Sequence, residues 1–271
     1  MAPFSVLMSL YCKESPQYLS EALDSIFAQT VLPAEIVLVE DGPLTDALHA
    51  VVDECRKRHP IFKIVKNPHN LGLGPSLAKG ILHCSHEYVA RMDSDDSMPA
   101  DRFEKQLEAI GRGYDVVSCW SLIFDASPDN PTAVKRRPET HQEITKLARR
   151  RSPVCHAAAF MRKSAVLAAG NYQARNLYED YHLWVRMILS GARFHNIQEI
   201  LYYVRTNPAQ IARRQGTRYL KTELRCMKEF RNMGFYSATD LCINAAIRIV
   251  VRLLPARFAP KIFTIIWNRK N

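Results

Sequence analysis

The sequence has little glycine, no paired cysteines and no long uncharged run. Only 10 of its 271 residues are glycine, which excludes a collagen-like chain. The 7 cysteines form no Cys-x-x-Cys pair, which argues against a zinc ribbon or a disulfide scaffold and favours reduced thiols in a cytoplasmic compartment. Near the C-terminus, uncharged stretches such as residues 241–247 are far shorter than the roughly 20 residues that span a bilayer. Because a strand-like run begins already at Phe4, we expect no secretory signal ahead of it.

Charge is abundant but unevenly distributed. Lys and Arg number 37 against 27 Asp and Glu, and hydrophobic residues make up 47%, which is typical of a globular protein. Residues 201–271 contain 14 basic and 3 acidic residues, so the remainder is close to neutral. We therefore expect the basic C-terminal part to meet an anionic surface, either lipid or nucleic acid.

The first 120 residues alternate between the period of strands and the period of helices. Apolar runs predict strands over residues 4–9, 35–39, 62–65, 88–92 and 115–119, and helical periodicity predicts helices over residues 18–29, 47–58, 75–83 and 99–110. This order indicates an α/β fold with a Rossmann-like, mainly parallel sheet flanked by helices. Ligands bind such sheets at the carboxyl ends of the strands.

After position 120 the pattern is less regular. Residues 127–138 predict a loop, 156–162 a strand, 178–190 a helix and 194–204 a strand, and the chain is helical and basic from about residue 215. We predict one domain over residues 1–207, with a nucleotide-binding part to about 120 and an acceptor part from about 121. A basic helical extension, 208–271, follows.

An acidic cluster follows the fourth predicted strand. If that strand continues to Asp95, the carboxylates of Asp93 and Asp95 lie on one face, where they repel each other unless a cation lies between them. Divalent cations that also bind substrate phosphates are held in this way. A turn that caps the next helix is the alternative.

Polar residues also follow the first, second and third strands. Asp41 suits a hydrogen bond to a ribose or base, although Asp-Gly also forms turns. Tyr11 suits stacking on a base and Glu14 suits accepting a hydrogen bond, although a helix cap explains this segment equally well. The glycines at 72 and 74 precede the helix that carries Lys79, and a phosphate cradle or a structural turn fits them.

Taken together and in this order, these segments resemble the inverting family 2 glycosyltransferases, which have a GT-A fold. The motifs are a Tyr-containing turn at 9–14, Glu-Asp-Gly-Pro at 40–43, Asn-x-Gly at 70–72, Asp-x-Asp at 93–95, and Glu-Asp followed by Trp and Arg at 179–186. The likeness covers about residues 4–205. The 40–43 variant, the 203–205 segment and the basic tail are similar to bacterial transferases that build O-antigen, capsule or exopolysaccharide.

The resemblance implies a role for each matching residue. A UDP-sugar would be the donor, and its nucleotide would contact Ser9, Tyr11, Glu14, Asp41, Lys79 and Asp93. Asp93 and Asp95 would hold Mn²⁺ or Mg²⁺ against the pyrophosphate, and Asp180 would be the base that deprotonates a saccharide acceptor. Arg205, Arg213 and Arg214 are candidates for contacts to the diphosphate from a mobile loop. From spacing alone, Asp180 also fits a helix cap.

The basic tail has two interpretations. Arg248 and Arg252 are four residues apart and share a helical face, which suggests a helix in a membrane interface, peripheral on the cytoplasmic leaflet and close to a lipid-diphosphate-linked acceptor. A helical pair packed on the core, with its arginines in solvent, is the alternative. Nucleic-acid binding is not expected, because no recognition motif accompanies the charge. A nucleotidyltransferase is disfavoured because residues 9–14 contain no glycine.

Overall fold

The computed structural model describes residues 2–175, 177–206 and 216–253. Its contacts divide the chain into two compact units, Met1–Arg205 and Thr206–Asn271. The domain boundary that we predict at 207/208 lies outside the described residues and stays a proposal.

The first unit contains an eight-stranded sheet. Its order is β3-β2-β1-β4-β7-β5-β6, with β8 pairing β5 as well. The pairs β1–β2, β2–β3, β1–β4 and β5–β8 are parallel, whereas β4–β7, β5–β7 and β5–β6 are antiparallel. The predicted α/β class with a mainly parallel sheet is confirmed. The strands are β1 Phe4–Leu10, β2 Glu35–Glu40, β3 Phe62–Lys66, β4 Tyr88–Met92, β5 Val116–Phe124, β6 Pro131–Lys135, β7 Phe160–Arg162 and β8 Phe194–Arg205.

Helices cover both faces of this sheet, and several begin at caps that the sequence encodes. The Ser15 hydroxyl accepts from the Tyr18 N–H at the start of α1, and Thr140 forms a capping box with Glu143 at α5. The helices of the first unit are α1 Pro16–Phe27, α2 Asp46–Arg58, α3 Leu73–His83, α4 Arg102–Gly111, α5 His141–Ala148, α6 Lys163–Ala168 and α7 Glu179–Leu189.

Two apolar clusters, one on each face of the sheet, form the core. In β1, Val6 and Met8 belong to one cluster and Leu7 to the other, as the two-residue period of a strand requires. Strands buried on both faces are uniformly apolar, which explains the continuous apolar runs of β1 and β2.

Three local predictions are wrong. The predicted loop 127–138 contains β6, and the predicted strand 156–162 is a 3₁₀ turn, His156–Ala158, followed by β7. Helix α4 begins at Arg102 instead of Pro99, whose carbonyl accepts from the Gln29 side chain at 2.7 Å. Strand β4 covers the predicted residues 88–92, so the condition that it continues to Asp95 is not met.

The described residues of the second unit form two helices, α8 Gly216–Asn232 and α9 Ala238–Leu253. Arg248 is 8% exposed and pairs with the buried Glu223 at 3.3 Å. Both of our interpretations of the tail placed Arg248 at a surface, and both are wrong on this point, because the guanidinium pairs with a carboxylate on the neighbouring helix. Arg252 and the chain after residue 253 lie outside the described side chains. No helix within the described ranges combines the length and apolarity needed to cross a bilayer.

Candidate functional site

Strands β1, β2 and β4 end at the same edge of the sheet. Leu10 pairs with Glu40 and Met8 pairs with Met92, so the residues that follow these strands emerge side by side. We call residues 9–14, 40–43 and 93–96 the carboxyl edge. Parallel strands bring together side chains from distant parts of the sequence here, as expected for a ligand site in an α/β sheet.

Three carboxylates cluster at the carboxyl edge. Oxygens of Asp93, Asp95 and Asp96 lie within 4.8 Å of one another. Because β4 ends at Met92, the turn after the strand brings them together, and the two-residue alternation that a longer strand would give does not apply. Asp93 pairs with the buried Arg91, and the backbone N–H of Arg205 donates to Asp96 Oδ1 at 2.8 Å. Protein contacts therefore orient the carboxyl groups of Asp93 and Asp96.

Burial and the proximity of the carboxyl groups raise the pKa values of Asp95 and Asp96. Burial, together with the charges of Asp93 and Glu14, raises the pKa of Asp95 to about 7. Burial and the charges of Asp93 and Asp95 raise the pKa of Asp96 well above its ordinary value. A divalent cation favours the ionised forms, and carboxylate oxygens are the ligands that Mg²⁺ and Mn²⁺ prefer. These residues therefore fit the metal that the sequence predicts.

The turn after β1 lies against the acidic cluster. The Ser94 hydroxyl donates to Glu14 Oε2 at 2.9 Å, and the Ser15 N–H donates to Glu14 Oε1 at 2.8 Å. Tyr11 is half-buried in the same turn, and its carbonyl accepts from the Glu14 N–H at 3.1 Å. Glu14 thus connects the turn to the Asp-Ser-Asp segment and caps the region where α1 begins.

Asp41 has partners within the chain. Its Oδ1 accepts from the Leu71 N–H at 2.7 Å and from Asn67 Nδ2 at 3.0 Å, and its Oδ2 accepts from the Gly72 N–H at 3.0 Å. Only 4% of the residue is exposed. Gly42 has a φ of 88°, and a Cβ there would lie 2.8 Å from the Asn70 nitrogen. The Asp41 carboxylate therefore holds the 67–72 loop against the strand end, and those amides serve a structural turn.

Two of the predicted cations make other contacts. Lys79 Nζ donates to the Lys66 carbonyl at 2.6 Å and to Asn67 Oδ1 at 3.2 Å. Arg205 ends β8, is 9% exposed, donates from Nε to the Asp95 carbonyl at 3.1 Å and pairs with Glu21. The prediction that Arg205 lies on a mobile loop is wrong, because its guanidinium is fixed inside the sheet edge. Arg213 and Arg214 lie outside the described residues.

Asp180 is the second residue of α7. The Ser152 hydroxyl donates to Asp180 Oδ2 at 3.1 Å. A negative side chain in the first turn of a helix is favoured by the helix dipole. Burial and the Asp180 charge raise the pKa of the neighbouring Glu179 to about 7. A Cβ on Gly74 would lie 3.1 Å from Glu179 Cβ, so the start of α3 packs directly against the start of α7.

Sequence reasoning missed Arg91, Asn67 and Ser152 as site residues. Arg91 is 2% exposed, and although burial opposes it, the Asp93 charge raises the pKa of its guanidinium. An arginine within the apolar run of β4 is a signal for a buried ion pair, since an unpaired charge is costly to bury, but it does not identify the carboxylate. Asn67 and Ser152 carry no comparable signal, because short polar side chains in loops are common.

Comparison with known proteins supplies a family and relatives. A model described as Glycosyl transferase family 2 matches residues 5–168. The chain is 37% identical over 262 residues to the UDP-Gal:alpha-D-GlcNAc-diphosphoundecaprenol beta-1,3-galactosyltransferase of Escherichia coli, covering 96% of this chain and 94% of that protein. It is 35% identical over 257 residues to the amylovoran biosynthesis glycosyltransferase AmsE of Erwinia amylovora, covering 94% and 95%.

The fold also resembles a solved structure. Residues 1–349 of Staphylococcus aureus TarS, in complex with UDP-GlcNAc, superpose with a TM-score of 0.71 at 17% identity, over 96% of this chain and 78% of that one. At this level of identity the likeness concerns the fold alone.

Proposed function

The chain belongs to glycosyl transferase family 2, and we propose that it transfers a sugar, with inversion, from a UDP-sugar to a lipid-diphosphate-linked saccharide in the assembly of a bacterial surface polysaccharide. The Escherichia coli relative is named for a UDP-galactose donor and a diphosphoundecaprenol acceptor, and the Erwinia relative for amylovoran biosynthesis. Similarity over nearly the whole length of both relatives supports the same class of donor and acceptor here.

The acidic cluster is the observation that carries this proposal. Asp93 and Asp95 would hold Mn²⁺ or Mg²⁺, with the Asp96 carboxylate close by. The ion, when bound, supplies neutralisation of the negative charge that develops on the departing diphosphate. The ion pair between Arg91 and Asp93 orients the Asp93 carboxyl group.

The nucleotide would lie along the carboxyl edge. Tyr11 is placed to stack on the base, and Ser9 and Glu14 border the same turn. Asp41 contributes by holding the 67–72 loop in place. Residues 1–120 would therefore form the nucleotide-binding part and residues 121–207 the acceptor part, and the basic residues after 207 would keep the enzyme on the cytoplasmic leaflet.

Asp180 would act as the base. Its carboxylate would accept the proton of the acceptor hydroxyl while that oxygen attacks the anomeric carbon from the face opposite the departing UDP. A single displacement inverts the anomeric configuration. The Ser152 hydroxyl orients the carboxylate, and the start of α7 favours its ionised form.

A donor screen tests the proposed function. UDP release is measured with UDP-galactose, UDP-glucose, UDP-GlcNAc and UDP-GalNAc, with an alkyl-diphosphate-linked GlcNAc acceptor, in the presence of Mn²⁺ or of EDTA. We expect acceptor-dependent release with one donor and its loss in EDTA. The anomeric proton coupling of the product should show inversion. UDP release that does not depend on the acceptor, or transfer with retention of the anomeric configuration, contradicts the proposal.

A further inference from the structure

Three buried polar atoms on or near α7 have no hydrogen-bond partner within the described part of the chain. They are Arg137 Nε, Asn196 Oδ1 and Trp184 Nε1, the last of which belongs to α7 itself. An unsatisfied buried polar group is costly, so native proteins contain few of them. An arginine whose Nε the fold leaves unsatisfied calls for an explanation, and a ligand that binds its guanidinium is one.

Hydrogen bonds place Arg137 near Asp180. The Asn196 side-chain amide donates to the Pro138 carbonyl at 2.7 Å and to the Pro153 carbonyl at 3.3 Å. One amide thus joins the loop that carries Arg137 to the loop whose Ser152 hydroxyl donates to Asp180. We call residues 137–138, 152–156, 179–184 and 196 the acceptor face.

The backbone of Arg137 is fixed although its Nε is not paired. Its carbonyl accepts from Trp120 Nε1 at 3.0 Å and from Gln198 Nε2 at 3.1 Å. These contacts hold the loop against β5 and β8 without using the guanidinium. The backbone that carries the side chain is therefore already ordered, which favours binding because little conformational entropy is lost when a ligand binds.

Charge in this region fits an anionic ligand. Residues 136–151 contain six Lys or Arg and two Glu, in a first unit that is otherwise close to neutral. Burial lowers the pKa of Arg137, whereas the negative charge of Asp180 acts to raise it, which is consistent with the two groups being near neighbours. An arginine fork suits phosphate oxygens.

We propose that Arg137 binds the diphosphate of the acceptor while Asp180 takes the proton of the acceptor hydroxyl. The inference rests on the proposed function and deepens it by assigning a residue to the anionic part of the acceptor. In a sugar diphosphate lipid, the attacking hydroxyl and the diphosphate are substituents of one sugar ring. The base lies at the start of α7, and the cation lies on a loop that Asn196 joins to the loop of Ser152, so one acceptor offers a group to each of them. The contact with the diphosphate is non-covalent.

Two acceptors that differ only in charge test the assignment. One carries GlcNAc linked to an alkyl chain through a diphosphate, and the other carries the same sugar as a neutral alkyl glycoside. We expect Arg137→Gln to raise the KM for the diphosphate acceptor about 10- to 100-fold, which corresponds to the loss of a hydrogen bond to a charged group. The KM for the glycoside and for the UDP-sugar should stay within about twofold, and Arg137→Lys should restore part of the affinity.

A neighbour provides the matched control. The guanidinium of the exposed Arg136 lies 5.2 Å from the Trp120 ring centroid, so Arg136→Gln removes the same charge one residue away. We expect it to change the KM for the diphosphate acceptor less than threefold. An equal effect of both variants would reduce the proposal to general electrostatic attraction and overturn it.

Stability separates binding from a structural role. Because Arg137 Nε has no partner among the described residues, Arg137→Gln should leave the melting temperature of the ligand-free protein unchanged or raise it. A lower melting temperature with equal losses on both acceptors, or a raised KM for the UDP-sugar alone, overturns the proposal. If the wild type transfers to neither acceptor, the proposed function fails. Calorimetric binding of the diphosphate acceptor, with and without Arg137→Gln, then decides the assignment by itself.

Discussion

The carboxyl edge and the acceptor face differ in how fully the hydrogen bonds of their polar side chains are satisfied. At the carboxyl edge, both oxygens of Asp41 and of Glu14 accept hydrogen bonds from the chain, and Asp96 accepts from a backbone amide. At the acceptor face, Arg137, Asn196 and Trp184 each have a buried polar atom without a partner among the described residues. Hydrogen bonds within the chain therefore satisfy the polar side chains of the carboxyl edge, whereas the acceptor face leaves these three buried polar atoms unsatisfied.

This difference has a consequence for substitutions. Near the carboxyl edge, Arg91 Nε is the exception within the described residues, and it belongs to a side chain that already pairs with Asp93. Replacing a satisfied group removes folding energy along with function. Replacing an unsatisfied group removes function alone. Stability and activity should therefore separate at the acceptor face and fall together at the carboxyl edge.

Asp180→Asn should give the largest loss of activity with the smallest change in stability. Loss of a general base costs about 10²- to 10⁴-fold in rate, so we expect kcat to fall by about 10³-fold. The melting temperature and the KM for the UDP-sugar should hardly change, because the asparagine side chain keeps an oxygen that can accept from the Ser152 hydroxyl. Steady-state kinetics and thermal unfolding measure both. Ser152→Ala, which removes only the hydroxyl that donates to Asp180, is the control and should cost about 10-fold or less. Wild-type turnover in Asp180→Asn would refute the assignment of the base.

Asp95→Asn should affect metal binding and rate together. We expect kcat/KM to fall by about 10²-fold, since an electrostatic contribution to the transition state is lost. The rise in melting temperature that Mn²⁺ causes in the wild type should shrink in the variant. Asp101→Asn, whose carboxylate pairs with Lys105 on α4, is the control and should keep both properties. An unchanged response to Mn²⁺ would place the ion elsewhere.

The sequence predicts the parallel half of the fold well. Strands β1, β2 and β4 are mostly apolar runs because both faces are buried, and such runs are visible without a structure. The acids after β1, β2 and β4 could be predicted to meet because parallel strands end at one edge. The ion pair of Arg91 with Asp93 could not, since an arginine in a strand says nothing about which carboxylate it meets.

The rest depends on long-range contacts. Residues 131–135 form β6 although three prolines fall within 127–138, because Leu122 and Val134 pair at the sheet edge, where proline is tolerated. The loops that carry Arg137 and Ser152 are joined by the Asn196 amide, which donates to the Pro138 and Pro153 carbonyls, and no local pattern encodes those contacts. Spacing likewise placed Arg248 at a surface, whereas Glu223 on α8 buries it.

Asp41→Asn should cost stability. The variant keeps the shape of the side chain but replaces one oxygen with an NH₂ group, which cannot accept from Gly72 or Leu71. We expect a loss of about 2–3 kcal/mol in the free energy of unfolding, measured by urea denaturation. Asp53→Asn, on the exposed side of α2, is the control and should change stability by less than about 0.5 kcal/mol. An equally small effect at Asp41 would show that the 67–72 loop does not need the carboxylate.

Glu179→Gln should stabilise the protein in a manner that depends on pH. In the folded protein the pKa of Glu179 is about 7, against an ordinary value of 4.5, so the native state binds this proton more tightly. The stability of the wild type therefore falls as pH rises from 4.5 to about 7 and then levels off. The gain from Glu179→Gln should grow through the same window to about 1–3 kcal/mol.

Urea denaturation of Glu179→Gln at several pH values measures this gain, with Glu108→Gln on the exposed face of α4 as the control. A gain that does not change with pH would mean that Glu179 titrates normally, and that burial at the start of α7 costs the carboxyl group little. A gain that follows the predicted pH window would mean that the ionised Glu179, beside Asp180, destabilises the folded protein. The acceptor face would then reduce stability in two ways, through this buried charge and through its unpaired polar atoms. Unpaired polar atoms of that kind are largely missing from the described residues of the carboxyl edge.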